Sequence, residues 1–452
     1  MAERTACAYV DHNRELFHVP AVKVTEQFSS LYFMRLCELR GKVEAAASQR
    51  WGSDILNRKV KTLDAEPGAP VLVVGTLYRE MKGKPNIMEE LNRDPLLEVF
   101  ASDERKAAEK YVGEGDVVFL EDDSGRLALQ LTSELADDVL VTGAVVAVKG
   151  TLSETGELDV EGICLPGMPP QAPRAALAGP PAGRYVAVVS GLRVGHDAHD
   201  MLPLQLLAEH LTGQLGCDED HRMQANIVRL IVAGNATGCA AAGEGEPANA
   251  AGGDVLKKMA PNAQKSLAEH ARYLDLFLTT VGAAMPVDLM PGAGDPCNYL
   301  LPQQPFHPCM LPQAAKLSSL NLCTNPYCAD VDGVRVLGTS GQPLDDMQRY
   351  LPGDDRLATL TRTLEFQHLA PTAPDTLGCY PYAGDSADPF VVRECPHVFF
   401  AGNQPRYESK LVEGPAGQRV CAIMVPDFCR DHTCVLVNLD TLESQPIVFA
   451  GL

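Results

Sequence analysis

The sequence predicts two folded parts of different class, a small all-β barrel followed by a layered α/β domain. A chain of 452 residues is too long for one ordinary hydrophobic core, so more than one domain is expected. Short apolar runs separated by turn-prone residues fill one region, whereas apolar runs alternate with helical stripes from Tyr185 onward. The predicted divisions are an N-terminal segment over 1–64, a barrel over 65–165, a linker over 166–184 and the α/β domain over 185–452.

Composition and charge indicate a folded, strongly acidic protein. Apolar residues make up 46% of the chain and charged residues 21%, which are ordinary values for a globular fold. The 38 lysines and arginines against 59 aspartates and glutamates give a net charge of −21. Such a chain repels a phosphate backbone unless its basic residues are concentrated in one place, and the sequence has no long basic run. We therefore expect no wide nucleic-acid contact through this chain alone.

The cysteines and the apolar runs indicate the cellular compartment of the protein. None of the 14 cysteines forms a CxxC pair, and the spacing nearest to that of a metal site joins Cys323 to Cys328, so free buried thiols are expected. No signal peptide opens the chain, and no apolar run reaches the roughly 18 residues of a membrane span. These features predict a soluble, intracellular protein with reduced cysteines.

An amphipathic helix is predicted near the N-terminus. Residues 1–26 have no clear period, but apolar side chains then recur every three or four residues, at Phe28, Tyr32, Leu36, Leu39 and Val43. This spacing places them on one face of a helix, which we expect to pack on a neighbouring domain. The single tryptophan, Trp51, follows the stripe and is expected to anchor packing.

Residues 69–165 are predicted to form a five-stranded barrel of the oligonucleotide-binding type. The strands come from the runs APVLVVGTLY, DVVFLEDDSGRLALQL, VLVTGAVVAVKGTL and ELDVEGICL, and residues 122–125 (DDSG) mark a hairpin turn. Such barrels often bind single strands on aromatic platforms in a basic groove. Here Tyr78 and Phe119 are the main aromatic residues and acidic residues crowd the hairpin, which favours packing or protein docking over nucleic-acid binding.

Two segments are too rich in small and breaker residues to form a core. Residues 166–184, rich in Pro, Ala and Gly, are predicted to be a linker. Residues 238–253, rich in Gly, Ala and Glu, are predicted to be a disordered surface loop.

The α/β domain is predicted from continuous apolar runs, which are typical of strands buried on both faces. The runs are YVAVVSG, IVRLIVAGN, AMPVDLMPG, VRVLGTSG, HVFFAGN, RVCAIMVPDF, TCVLVNLD and QPIVFAG. Two helical stripes lie between them, one at Leu204, Leu207, Leu211 and Leu215 and the other at Leu267, Ala271, Leu274, Leu278 and Val281.

Several of these runs end in small, turn-prone residues: SGLRVG, AGNATG, PGAGDP, TSG and AGNQP. Ligands of open α/β sheets gather at the carboxyl ends of strands, so an active site would lie here. The order and spacing resemble those of the calcineurin-like metallophosphoesterases. In that family D-x-H, G-D-x-x-D, G-N-H-[DE] and G-H-x-H at successive strand ends hold two metals that activate a water and bind a phosphate. The resemblance implies a β-sandwich flanked by helices.

The positions that match the metal ligands of that family carry other residues here. They are Gly191 and Arg193, Asn235 and Gly238, Ala293 and Gly294, and Asn403 and Pro405, with only Asp295 retained. Metals of this kind need carboxylate and imidazole donors, which Gly, Ala and Pro lack, and an arginine adds positive charge where a cation would lie. His368 resembles a further family histidine, but one imidazole cannot hold two metals. We therefore predict no catalytic residue, no cofactor and no metal, in a scaffold kept by turn glycines at Gly191, Gly234, Gly292 and Gly402.

Longer runs carry a second resemblance, which covers nearly the whole chain. They are residues 285–312, 324–350 and 368–382, ECPHVFFAGNQP at 394–405, VPDF at 425–428, and the N-terminal FSSLYFMRL and VVGTLYREM. These runs resemble the small, non-catalytic subunits of the replicative DNA polymerases, the delta type more than the alpha or epsilon types.

That resemblance implies a nuclear, non-catalytic scaffold for DNA replication and repair synthesis. Its partners would be the cysteine-rich C-terminal domain of the polymerase catalytic subunit and a third accessory subunit that engages the sliding clamp. It would also be shared with the zeta translesion polymerase. Residues 285–350 and the barrel are the expected contact for the catalytic subunit. Two alternatives remain open: an active metal-dependent phosphodiesterase or nuclease, and a barrel protein that binds single-stranded DNA.

Overall fold

The computed structural model describes residues 4–19, 27–84, 110–113, 115–132, 135, 140–174, 183–195, 201–237, 261–381 and 387–449. Within these ranges the chain forms a closed barrel and two large sheets packed face to face, with helices on their outer sides. None of the described helices is both long enough and apolar enough to cross a membrane.

The N-terminal segment holds one strand and two helices: β1 (Tyr9–Asp11), α1 (Asn13–Phe17) and α2 (Ser29–Trp51). Residues 1–26 have no clear sequence period, yet β1 and α1 form there, whereas α2 confirms the amphipathic helix. The pattern also places Phe28 on the buried face, but this residue precedes the helix and is 42% exposed. The buried face begins one turn later and consists of Leu31, Arg35, Leu36, Leu39, Val43 and Ala47.

The barrel strands confirm the prediction for residues 69–165. They are β2 (Pro70–Glu80), β3 (Val117–Glu121), β4 (Arg126–Gln130), β5 (Val145–Leu152) and β6 (Glu157–Cys164). The order around the barrel is β2-β3-β4-β6-β5, with β4 and β6 parallel and the other neighbours antiparallel. The predicted hairpin turn forms because the Asp122 carboxylate accepts hydrogen bonds from the N–H groups of Ser124 and Gly125.

Helix α2 covers one side of the barrel. Its residues Leu39 and Val43 share a core with Leu72 and Val145 of the barrel strands. The ring of Trp51 lies against β6 so closely that a Cβ added at Gly162 would meet it at 3.1 Å. Trp51 therefore anchors packing, as predicted.

The α/β part contains eleven strands in the described residues, and the predicted apolar runs are all among them. They are β7 (Tyr185–Val189), β8 (Ile227–Ala233), β9 (Val287–Met290), β10 (Leu320–Leu322), β11 (Tyr327–Val331), β12 (Val334–Thr339), β13 (Val398–Gln404), β14 (Glu408–Glu413), β15 (Arg419–Pro426), β16 (Thr433–Asn438) and β17 (Ser444–Val448). Strands β10, β11 and β14 were not predicted.

These strands and β1 form two six-stranded sheets. The first has the order β1-β11-β12-β13-β15-β14 and the second β10-β9-β8-β7-β16-β17. Their inner faces share one apolar core, which includes Val188 and Ile231 from the second sheet and Val336, Phe400 and Ile423 from the first. The predicted layered sandwich is therefore observed.

Helices cover both outer faces of the sandwich. They are α3 (Met201–Thr212), α4 (Asp218–Ala225), α5 (Pro261–Gly282), α6 (Gln342–Arg349), α7 (Arg356–Phe366) and α8 (Phe428–Asp431). Helices α3 and α5 pack on the second sheet through Leu207, Leu211 and Leu278. The last member of the first predicted stripe, Leu215, lies beyond the helix. The helix ends at Thr212, because Gly213 adopts the left-handed φ of 76°.

Helices α6 and α7 lie between the first sheet and the barrel. Leu344 and Leu364 of these helices belong to the same hydrophobic cluster as Phe399 of the first sheet and Leu120 and Val146 of the barrel. The two folded parts therefore share a continuous core.

The segment predicted as a linker is packed in its first half. Gly167 N–H donates to Glu365 O, Gln171 Nε2 donates to Pro396 O, and Arg174 Nη1 donates to Leu439 O. Residues 166–174 thus follow the surface of the sandwich. Residues 175–182, like the 238–253 loop, lie outside the described residues.

The first residues of the chain complete the sandwich. Strand β1 pairs antiparallel with β11, with Tyr9 opposite Val331. Just before it, Arg4 donates to the carbonyl oxygens of Leu211 and Ile227, next to the second sheet. The N-terminus therefore contacts the elements of both sheets.

Candidate functional site

The candidate site lies where strands of both sheets end. Strands β7, β8 and β9 run parallel in one sheet, and β12, β13 and β15 run parallel in the other. The loops that follow β7, β8, β9, β12, β13 and β15 meet at one edge of the sandwich, which we call the strand-end edge. This is the edge predicted to hold an active site.

The loop after β7 is attached to the loops after β8 and β15 by backbone hydrogen bonds. Gly191 N–H donates to Gly234 O and Arg193 N–H donates to Asn235 O. On the other side, Phe428 N–H donates to Ser190 O at 2.8 Å. Both Gly191, at φ 65°, and Arg193, at φ 43°, lie in the left-handed region that allows this tight turn.

Arg193 and Asp427 form an ion pair across this edge. Arg193 Nε donates to Asp427 Oδ2 at 2.9 Å, and Arg193 Nη2 lies 2.8 Å from the same oxygen. Asp427 is also the N-cap of α8, because its Oδ1 accepts from Cys429 N–H. Sequence reasoning missed Asp427, although a carboxylate directly after the apolar run of β15 was visible in VPDF.

The loops after β8 and β9 are joined through one amide and one carboxylate. Asn235 Oδ1 accepts from Gly294 N–H at 2.8 Å. Asp295 accepts from the N–H groups of Gly292, Ala236 and Thr237 and from the Thr237 hydroxyl. Burial raises the pKa of the Asp295 carboxyl, and these donors act against that rise.

Asn403 joins the loop after β13 to neighbouring loops of the strand-end edge through its hydrogen-bond donors. Its Nδ2 donates to Ala233 O at 3.2 Å and to Ser340 O at 2.8 Å, and its N–H donates to Ser190 Oγ. Its Oδ1 is buried and makes no hydrogen bond within the described residues. Ala293 and Pro405 are exposed and contribute no side-chain donor or acceptor.

A network of side-chain amides fills the edge beneath these loops. Gln303 Nε2 donates to Gly292 O, and its Oε1 accepts from Asn325 Nδ2 and Gln342 Nε2. Asn325 Oδ1 accepts from Ser340 N–H at 3.0 Å. Sequence reasoning missed this network, although each amide lies beside Pro or Gly in QQP, TNP and SGQP, where a turn needs a polar partner.

The residues present do not fit a two-metal centre. Arg193 holds the carboxylate of Asp427, Asn235 already accepts a backbone hydrogen bond, and Asn403 turns its donor inward. Gly238 lies outside the described residues. Across the described part of the chain, no three His, Cys, Asp or Glu residues come together in an arrangement that could bind a metal ion.

His368 lies apart from this edge, in a cluster between the barrel and the sandwich. Its Nε2 donates to Asp388 Oδ2 at 2.9 Å and its Nδ1 accepts from Ala370 N–H. Arg35 of α2 donates to the same Asp388 oxygen at 2.9 Å, and both side chains of this ion pair are fully buried. We call Arg35, His368 and Asp388 the interdomain cluster.

A separate aromatic surface lies on the barrel. The Arg126 guanidinium lies 4.6 Å from the ring centre of Tyr78 and 4.9 Å from that of Phe119. Arg126 also pairs with Glu121. Because the rings already carry a cation paired to a carboxylate, they offer less open stacking surface than a platform for bases needs.

Comparison with known proteins assigns both folded parts. The family model described as "DNA polymerase delta subunit OB-fold domain" matches residues 27–163, and the model for the B-type subunit of DNA polymerases alpha and epsilon matches residues 186–410. The "DNA polymerase delta small subunit" of Oryza sativa is 38% identical over 94% of this chain and 93% of its own length. That of Saccharomyces cerevisiae is 32% identical over 93% and 89%. The "DNA polymerase II small subunit" of Pyrococcus furiosus is 23% identical over 68% of this chain and 48% of its own length.

Proposed function

Because this chain belongs to the family of DNA polymerase delta small subunits, we propose that it is a non-catalytic accessory subunit of the DNA polymerase delta complex. It acts there in DNA replication and repair synthesis, in the nucleus. The observation that supports the non-catalytic part is the strand-end edge, where an ion pair engages Arg193 and hydrogen bonds engage the side-chain amides of Asn235 and Asn403.

We propose further that the sandwich is an inactive calcineurin-like phosphoesterase domain. Support comes from the loops after β7, β8, β9 and β13, which follow the order of the metal-binding loops of that family. At these positions Gly191 and Ala293 supply no side-chain ligand, and Arg193 neutralises the nearby carboxylate. The protein needs no cofactor of its own.

The role of such a subunit is to hold other proteins in place. One partner is the cysteine-rich C-terminal domain of the catalytic subunit, and another is a third accessory subunit that reaches the sliding clamp. The zeta catalytic subunit is a further partner, and DNA is reached mainly through the complex. The shared core of barrel and sandwich supports this role, because partners would meet a single body.

We assign the catalytic subunit to the surface of residues 285–350 and the adjoining barrel. Tyr299 is 47% exposed there, and Pro305 and Pro308 of the same stretch are also exposed. Aromatic side chains at the centre of an interface often carry much of its binding energy. Prolines restrict the backbone and so keep such a surface in shape.

Co-expression with a delta-type catalytic C-terminal domain tests the assignment. The wild-type chain should co-purify with that domain, and Tyr299→Asp should lose it, because a charge would be buried at the contact. Val448→Asp is the matched control, since Val448 is 60% exposed on β17, at the opposite edge of the second sheet from β10 of the assigned stretch. Failure of the wild type to co-purify would refute the function. Loss in both variants would refute only the location.

Two assays address the alternatives. We expect no Mn²⁺-dependent, chelator-sensitive hydrolysis of a nitrophenyl phosphodiester, and such turnover would refute the inactive domain. The second assay measures single-strand binding by the barrel, where Arg126 lies over the rings of Tyr78 and Phe119. We expect no tight, steeply salt-dependent binding of an oligonucleotide, because the chain carries a net charge of −21.

A further inference from the structure

We infer that the ion pair between Arg193 and Asp427 joins two loops that a metal centre would otherwise join, so that a fixed guanidinium takes the place of a bound cation. The two residues are 234 positions apart and follow strands of different sheets. That a metal once had this role rests on the proposed inactive phosphoesterase. The role of the ion pair itself rests on the contacts described next.

The Asp427 carboxylate is fixed from both sides. One oxygen accepts from Cys429 N–H at the start of α8, and the other accepts from Arg193 Nε and lies 2.8 Å from Arg193 Nη2 in the ion pair. Its side chain is 9% exposed, whereas that of Arg193 is 35% exposed. A carboxylate this buried needs a positive partner, and the guanidinium supplies one from the loop after β7.

At position 191, which matches the first metal ligand of the phosphoesterase family, other side chains already occupy the space that a side chain would need. A Cβ added at Gly191 would lie 2.5 Å from Asp427 Oδ1 and 3.0 Å from Asn403 Oδ1. A side chain at position 191 would therefore collide with the carboxylate that Arg193 holds. The glycine and the ion pair exclude the metal-ligand arrangement together.

The ion pair also differs in kind from the other links of the edge. The loops after β8 and β9 are joined through the neutral Asn235 amide, through the Gln303 network and through backbone donors to Asp295. Arg193 and Asp427 supply the opposite charges that link the second sheet to the first. A dication bound by carboxylates links loops by the same electrostatic means.

A double-mutant cycle in the full chain tests this inference, with Arg193→Gln, Asp427→Asn and the double variant. Asparagine keeps the N-cap of α8, so Asp427→Asn removes the charge and not the cap. The readout is hydrogen–deuterium exchange of residues 190–194 and 427–431. We expect each single variant to speed exchange in both segments about three- to tenfold, and the double variant to add little more.

Additive single effects, or faster exchange only in the mutated loop, would overturn the inference. Arg193→Lys should restore part of the protection, because lysine keeps the charge but lacks the planar fork. A parallel titration with Mn²⁺ separates this result from the proposed function. Slower exchange of wild-type residues 190–194 on adding Mn²⁺ would refute the inactive domain, whereas the coupling between the two residues is measured without metal.

Discussion

Two arginine–aspartate pairs connect distant parts of this chain, and they differ in burial. Arg35 and Asp388 are fully buried between the barrel and the sandwich, 353 positions apart. Arg193 and Asp427 lie at the strand-end edge, where the arginine is about one-third exposed. The first pair is enclosed by protein on all sides, and the second is screened by water on one side.

The difference shows where the structure is least tolerant of change. Besides Asp388, the Arg35 guanidinium donates to the carbonyl oxygens of Gly143, Pro371 and Ala373, so it joins α2, the barrel and the sandwich. Removing one partner of a fully buried pair leaves the other charge without water or compensation. The pair at the strand-end edge should lose less, because its arginine is about one-third exposed and water reaches the ion pair from that side. We therefore expect the junction of barrel and sandwich, rather than the strand-end edge, to govern stability.

The largest effect should come from Arg35→Met. It leaves Asp388 without its cationic partner and removes the guanidinium donor from three carbonyl groups, and we expect the free energy of unfolding to fall by about 3–5 kcal/mol. Urea unfolding of the full chain measures this loss. Arg40→Met on the same helix is the control, because Arg40 pairs with Asp123 at the surface and should matter by less than about 1 kcal/mol. Equal effects of the two variants would contradict the comparison.

Gly143→Ala should destabilise nearly as much. A Cβ at Gly143 would overlap the carbonyl oxygen of Pro371 and crowd Arg35, and the residue adopts φ 87°. Backbone strain and overpacking together predict a loss of about 2–5 kcal/mol in the same unfolding experiment. Gly156→Ala is the matched control, since Gly156 adopts φ 85° with no atom within 4 Å of its added Cβ. It should show only the smaller backbone strain.

Acid should weaken the interdomain cluster through His368. Burial, together with the Arg35 charge, lowers the pKa of His368 to about 4 from its ordinary 6.5. Between these values the unfolded chain binds a proton that the folded chain does not, so stability falls as the pH falls. The slope approaches about 1.4 kcal/mol per pH unit for this one group. Asp388 keeps its charge throughout, because its folded pKa is lowered.

Unfolding midpoints recorded from neutral pH down to about pH 4 measure that slope. His368→Gln should remove this contribution, and the exposed His307→Gln should leave it unchanged. A slope identical in wild type and His368→Gln would show that the cluster does not titrate as described.

The smallest of these effects should be that of Gln303→Ala at the strand-end edge. The change leaves the Nδ2 of Asn325 and the Nε2 of Gln342 without one acceptor each, and we expect a loss of about 1–3 kcal/mol. Gln445→Ala on the exposed strand β17 is the control and should be near neutral. If Gln303→Ala destabilised more than Arg35→Met, the ranking of the two regions would be reversed.

Most of the fold could be predicted from the sequence because it rests on local patterns. The apolar runs and the turn signal of residues 122–125 predict the barrel strands and most sandwich strands. Strands β1, β10, β11 and β14 were missed, because three of them are short or lie at a sheet edge and carry no long apolar run. Their pairing depends on residues far away in the chain.

The strand-end edge and the interdomain cluster also differ in how far local sequence patterns predict them. Arg193 and Asn403 were predicted to meet at one edge, and the structure brings both there. Arg35 could not be predicted, because an arginine on an apolar helical stripe is ordinarily an exposed residue. Its burial is explained only by acceptors such as Gly143 and Asp388, which lie 108 and 353 positions away.

Because β1 pairs with a strand made much later, synthesis from the N-terminus delays this part of folding. Ala8 N–H donates to the carboxylate of Asp332, which lies 324 residues further along the chain. At about 5–20 residues per second, a ribosome needs on the order of 15–60 s to make that stretch. The first strand therefore leaves the ribosome long before β11 exists. Until then the backbone N–H and C=O groups of β1 have no strand partner, and chaperones can bind them. A premature stop before β11 would leave β1 unpaired permanently.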